Sequence, residues 1–87
     1  MSTEDVISGL SAANEKAAHV NAKLLAAIKD TDEMAALVAA ALRGSQAGPL
    51  LQLVRQAKQA ITQAGAQLPA LQARIDDTIR RTQALGN

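Results

Sequence analysis

Three groups of residues in this chain carry side chains able to do chemistry: the single histidine, His19; the carboxylates Asp30, Asp32 and Glu33; and the arginines Arg74, Arg80 and Arg81. A histidine can act as a base or a ligand only with partners at hand. Its neighbours within one helical turn are Glu15, Lys16 and Lys23, which together make a polar, solvated face. The acidic cluster lacks the alternating oxygen ligands and central glycine of a calcium loop, so helix capping and solvation are expected of it. Asp76 and Asp77 stand four residues before Arg80 and Arg81, the spacing of ordinary ion pairs on a helix surface. Those acids interrupt the basic patch, and no aromatic residue is present to stack on a base, so nucleic-acid binding is not expected.

The remaining motifs are equally spare. "GSQAGP", residues 44–49, has neither the lysine nor the preceding strand of a phosphate-binding loop. With no cysteine, the chain has no thiolate ligand, thiol nucleophile or disulfide. No catalytic residue, cofactor site or metal site is assigned, and an enzyme is not expected.

The elements behind these residues are helical. The 87 residues include 20 alanines and eight glutamines, against two prolines and no aromatic residue. That is the composition of one small helix-rich domain with few large side chains for a core. Net charge is +1 overall, −2 over residues 1–43 and +3 over residues 44–87, which suits antiparallel helices lying side by side. "MSTEDVISGL" is acidic and lacks the basic start and apolar run of a signal peptide, so a cytoplasmic location is expected. The most apolar run, "MAALVAAAL" at 34–42, is too short to span a bilayer.

Apolar or small residues recur at alternating spacings of four and three. The first series is Val6, Leu10, Ala13, Ala17, Val20, Leu24, Ala27, Thr31, Met34, Val38 and Ala41. The second is Leu50, Val54, Ala57, Ile61, Ala64, Leu68, Leu71, Ile75, Thr78, Thr82 and Leu85, ended by Gly86 and Asn87. A sevenfold repeat of this kind marks helices that pack along a coiled-coil seam. Ser2 or Thr3 can cap the first helix, and Glu4 and Asp5 favour its positive end. Arg43 and Gly44 suit its C-terminus, and Pro49 suits the start of the second helix.

These signals predict one all-α domain over residues 1–87: a helix over about 3–43, a turn at 44–48 and a helix over about 49–85. Pro69 removes the hydrogen bond to Gly65, so a kink is expected near 65–69. Asp30 with Glu33 resembles a capping box, yet the repeat keeps phase from Ala27 to Met34, which favours continuity there. Breaks at both places would instead give a compact four-helix monomer. In the antiparallel hairpin, facing residues have numbers adding to roughly 88–95, which brings Leu24 near Leu68 or Leu71 and Val38 near Leu50 or Val54.

A second apolar stripe on the first helix runs through Ala18, Leu25, Ile28, Ala35, Ala39 and Leu42. Leu37, Leu51 and Leu53 also lie off the main seam. One hairpin cannot bury both stripes, so these nine residues are the candidate partner interface. The expected function is non-enzymatic: a helical-hairpin interaction module that associates through its helices. Its partner would be a second copy, giving a homodimeric four-helix bundle, or another helical protein.

Two long helices around a glycine-containing turn, in a chain this short, resemble the helical hairpins of the WXG100 or ESAT-6-like group. The turn here reads Arg43-Gly44-Ser45-Gln46-Ala47-Gly48-Pro49, without the group's Trp-x-Gly. The tail "IDDTIRRTQALGN" has no tyrosine and so no export motif of that kind. The resemblance implies a helical dimer and, as the alternative function, a divergent type VII effector or secretion partner exported without a classical signal peptide.

Overall fold

The computed structural model describes residues 2–86, and among these there is no β-strand. Helix α1 spans Thr3–Ala41, a 3-10 turn spans Gly44–Gln46, α2 spans Ala47–Ala66 and α3 spans Leu68–Gly86. The fold is an all-α hairpin: one long helix, a tight turn, and a second arm made of α2 and α3. Asn87 lies outside the described residues.

The start of α1 is fixed by a reciprocal cap. The Asp5 N–H donates to Ser2 Oγ over 3.1 Å, and the Ser2 N–H donates to Asp5 Oδ2 over 3.4 Å. Two backbone donors that have no partner inside the helix are thereby satisfied. α1 then runs unbroken through Asp30–Glu33. Thr31 lies buried in this stretch, and its hydroxyl donates to the Ile28 carbonyl at 2.6 Å. The group that burial would strand is satisfied within its own helix.

At the turn, Gly44 has φ +72°, the left-handed conformation that glycine adopts without a Cβ penalty. α2 begins at Ala47, ahead of the expected start near 49, because the 3-10 turn feeds directly into it. Pro49 still falls in the first helical turn, where its missing N–H has no intrahelical acceptor to lose. α1 likewise ends at Ala41, short of the expected 43. The second arm leaves helical geometry at Gln67 alone, within the 65–69 window. The Leu71 N–H still reaches the Gln67 carbonyl at 3.2 Å.

The chain divides into two compact units. One comprises Met1–Asn21 and Ala66–Asn87 and the other Ala22–Gly65. Each is an antiparallel helix pair. In the first, Asn14 meets Asp76, and Thr3 lies against Gly86. In the second, Asp32 meets Lys58, and Leu24 lies against Gly65. The residue numbers of these partners add to 89 or 90, inside the expected range.

The seam that each pair covers differs in one respect from the expected repeat. On α1 the covered positions are Val6, Leu10, Ala17, Leu24, Ala27, Thr31 and Val38, as expected, joined by Thr3, Ile7, Asn14, Ile28 and Ala35, with Leu42 just past the helix end. On α2 and α3 they are Val54, Ile61, Leu68, Ile75 and Thr82, as expected, joined by Leu51, Lys58, Gly65, Gln72 and Ile79. The second rank therefore lies chiefly four residues after the first, whereas the sequence reading placed it three after; of that expected rank only Val6 and Ala27 are half-covered. Met34, Val20, Leu50 and Leu71, expected in the seam, are exposed as a result. The cause is visible in the pattern. α1 is apolar over three adjacent ranks, and a single partner helix covers only two of them.

Candidate interaction surface

The chemically equipped residues sit on solvated faces. His19, Asp30 and Glu33 are exposed, as are Arg74 and Arg80. Asp32 has a structural partner, the Lys58 ammonium at 2.7 Å. Both side chains are substantially solvated, so the pair adds little stability and is weakened by salt. Asp77 pairs with Arg81 at 3.0 Å, one turn on. Asp76 does not pair with Arg80 in this way; it accepts the Asn14 side-chain amide at 2.8 Å. Among the described residues no three of His, Asp and Glu converge as a metal would need. None of the described helices is long and apolar enough to cross a membrane.

What distinguishes this chain is how little it buries. Ala17 and Ala47 are the only buried apolar residues in the described part and Thr31 the only buried polar one, and no side chain there is fully enclosed. The seam carries polar groups at Asn14, Lys58 and Gln72, all half-buried. Asn14 Oδ1 is buried without a hydrogen-bond partner. Sequence periodicity could not find these three, because a repeat read from apolar residues passes over a polar one.

The nine residues of the predicted interface divide into two sets. Ile28, Ala35, Leu42 and Leu51 are half-buried in the second unit's own seam. Ala18, Leu25, Leu37, Ala39 and Leu53 are exposed. Leu25, Leu37 and Leu53 are 60%, 69% and 60% exposed respectively.

The exposed apolar residues are unevenly placed. Within an antiparallel helix pair, the rank three residues after the shared seam rank turns to the same side on both helices. In the second unit that rank holds Ala27, Met34 and Ala41 on α1, and Leu50, Ala57 and Ala64 on α2. Leu37 and Leu53 stand at the outer edge of the same side, three residues beyond Met34 and Leu50. The opposite side of this unit carries Leu25 together with Asp32, Arg55 and Thr62. In the first unit the equivalent apolar rank is Val6, Ala13 and Val20 on α1, and Leu71, Thr78 and Leu85 on α3. Each unit thus has one charged flank and one flank whose innermost rank has no charge.

A family described as "Family of unknown function (DUF6244)" matches residues 1–87, and the chain belongs to it. No curated protein and no solved structure matches the chain.

Proposed function

We propose that this protein is a non-enzymatic interaction module that works by helix–helix association, first of all with a second copy of itself. The observation that carries this reading is surface area. The chain exposes 6461 Å² at a mass of 9.0 kDa. A compact monomer of that mass is expected to expose about 4,900 Å². The excess, about 1,600 Å² per chain, is in the range that each protomer of an obligate dimer covers.

The thin core supports the same reading. A helix pair whose seam is largely half-buried gains little from transfer of apolar surface out of water, while every ordered residue costs conformational entropy. Association supplies the missing burial. The direct test is thermal unfolding followed by circular dichroism across a hundredfold range of protein concentration. A dimer coupled to folding gives a Tm that rises with concentration. A Tm independent of concentration, with full helicity throughout, would overturn the proposal.

A second reading is export as a divergent relative of the WXG100 hairpins. It draws on the hairpin architecture and on the left-handed Gly44 at its turn. Neighbouring genes for a secretion ATPase, with protein recovered from the culture medium, would support it. Recovery from the cell lysate alone would count against it.

A further inference from the structure

We infer that the second copy docks on the side of the second unit that presents Met34, Leu37, Leu50 and Leu53, and not on the side that presents Leu25. This rests on the self-association reading above and specifies the surface it uses.

Four of the large apolar side chains left in solvent gather on that side: Met34 at 51%, Leu37, Leu50 at 44% and Leu53. The opposite side offers one, Leu25, and also carries the Asp32–Lys58 ion pair and Arg55. Docking a second chain there would strip water from Arg55 and from an ion pair that is now largely solvated, a desolvation cost the apolar side does not carry. Docking on the Met34 side buries no charge from the inner ranks of either helix.

The occupant is argued from area and shape. The uncovered excess of about 1,600 Å² matches what one protomer contributes to an obligate homodimer. The α1 rank alternates large and small along its length: Val6, Ala13, Val20, Ala27, Met34, Ala41. A two-fold interface needs a surface that complements itself. Regularly spaced bulges and hollows on one helix meet that need, because a half-period offset seats each large side chain of one copy in an alanine hollow of the other. A charged partner would find nothing on this rank to pair with. Another apolar helix is the competing occupant, and it too would bury Met34.

The test compares two single variants of the full chain, Met34→Glu and Leu25→Glu, by sedimentation equilibrium at low micromolar concentration, with helicity checked alongside. Met34→Glu should weaken dimerisation at least a hundredfold while Leu25→Glu leaves it within a few-fold of wild type. Dimerisation lost equally in both, or only in Leu25→Glu, would overturn the inference and leave self-association standing. A wild-type monomer would instead defeat the self-association reading and this surface with it.

A second measurement needs no variant, in case Met34→Glu fails to fold. Met34 and Met1 are the only methionines. Peroxide converts an accessible methionine thioether to the sulfoxide, the peroxide supplying the oxygen and leaving as water. Mass spectrometry should show Met34 oxidation slowing several-fold as concentration rises through the dimer transition, by more than the gain in helicity of the same samples accounts for, with Met1 as the internal reference. A dimer in which Met34 oxidises as fast as in the monomer would contradict the assignment. Slowing of Met34 only on adding another helical protein would replace the second copy as occupant.

Discussion

Asn14 donates its side-chain amide to Asp76 across the α1–α3 pair at 2.8 Å, and its other polar atom, Oδ1, is buried with no partner. A half-satisfied amide in a seam is destabilising, since the stranded acceptor has given up its water. Polar seam residues of this kind can fix helix register at a cost in stability. Asn14→Leu is therefore expected to stabilise the hairpin by about 1 kcal/mol. Asp76 is exposed and returns to water without penalty. For a domain of this size the gain corresponds to a Tm higher by roughly 4–8 °C. Thermal unfolding by circular dichroism checks it, and a lower Tm would show that the Asn14–Asp76 bond outweighs the stranded oxygen.

The Asp32–Lys58 pair joins α1 to α2 in the second unit, and its two side chains are 58% and 43% exposed. Solvent screening limits such a pair to about 0.2–1 kcal/mol. A double-mutant cycle with Asp32→Ala and Lys58→Ala, read by urea unfolding, is expected to give a coupling in that range. The coupling should shrink as salt is raised to about 1 M, where the screening length falls to about 3 Å. A coupling that salt leaves unchanged would mean that the pair is drier than its exposure implies.

Two glycines should respond in opposite directions to the same substitution. Gly44 holds φ +72° at the turn, so Gly44→Ala forces a Cβ into the left-handed region at a cost of about 1–2 kcal/mol. Gly9 lies inside α1, where an added Cβ would meet open space. Gly9→Ala is expected to stabilise by about 0.5–1 kcal/mol, from helix propensity and a less disordered unfolded chain. Equal effects at the two sites would contradict the backbone geometry described for the turn.

The hairpin itself was legible because its signals agree. The capping residue Ser2 with the acids Glu4 and Asp5 after it, the Arg43-Gly44 terminus and one rank of each sevenfold repeat all name the same helices. The second rank was not legible. Along α1 and just past its end, Val20 and Met34 lie on one side of the shared rank and Ile28 and Leu42 on the other, and periodicity weighs them equally. The partner helix decides between them, and its covered rank includes Lys58, Gly65 and Gln72, which no apolar pattern selects. Gly65 sits there with Leu24 Cδ1 3.7 Å from the place a Cβ would take, an ordinary contact distance, so the position is covered by its neighbours and not marked by any apolar side chain of its own. That misplaced rank had a direct consequence. Residues such as Ile28 and Leu42, read as free for a partner, are half-covered within their own unit, while Met34 and Leu50 are the ones left in solvent.

The measurement that bears most directly on the account is the solution mass of the unaltered chain. Sedimentation equilibrium between about 1 and 50 μM, a range that brackets an ordinary stable homodimer, should return two chains of 9.0 kDa each across most of the range, with helicity lost on dilution. A single, fully helical species of one chain's mass at every concentration would contradict it, because the hairpin would then be stable with its apolar flank in water.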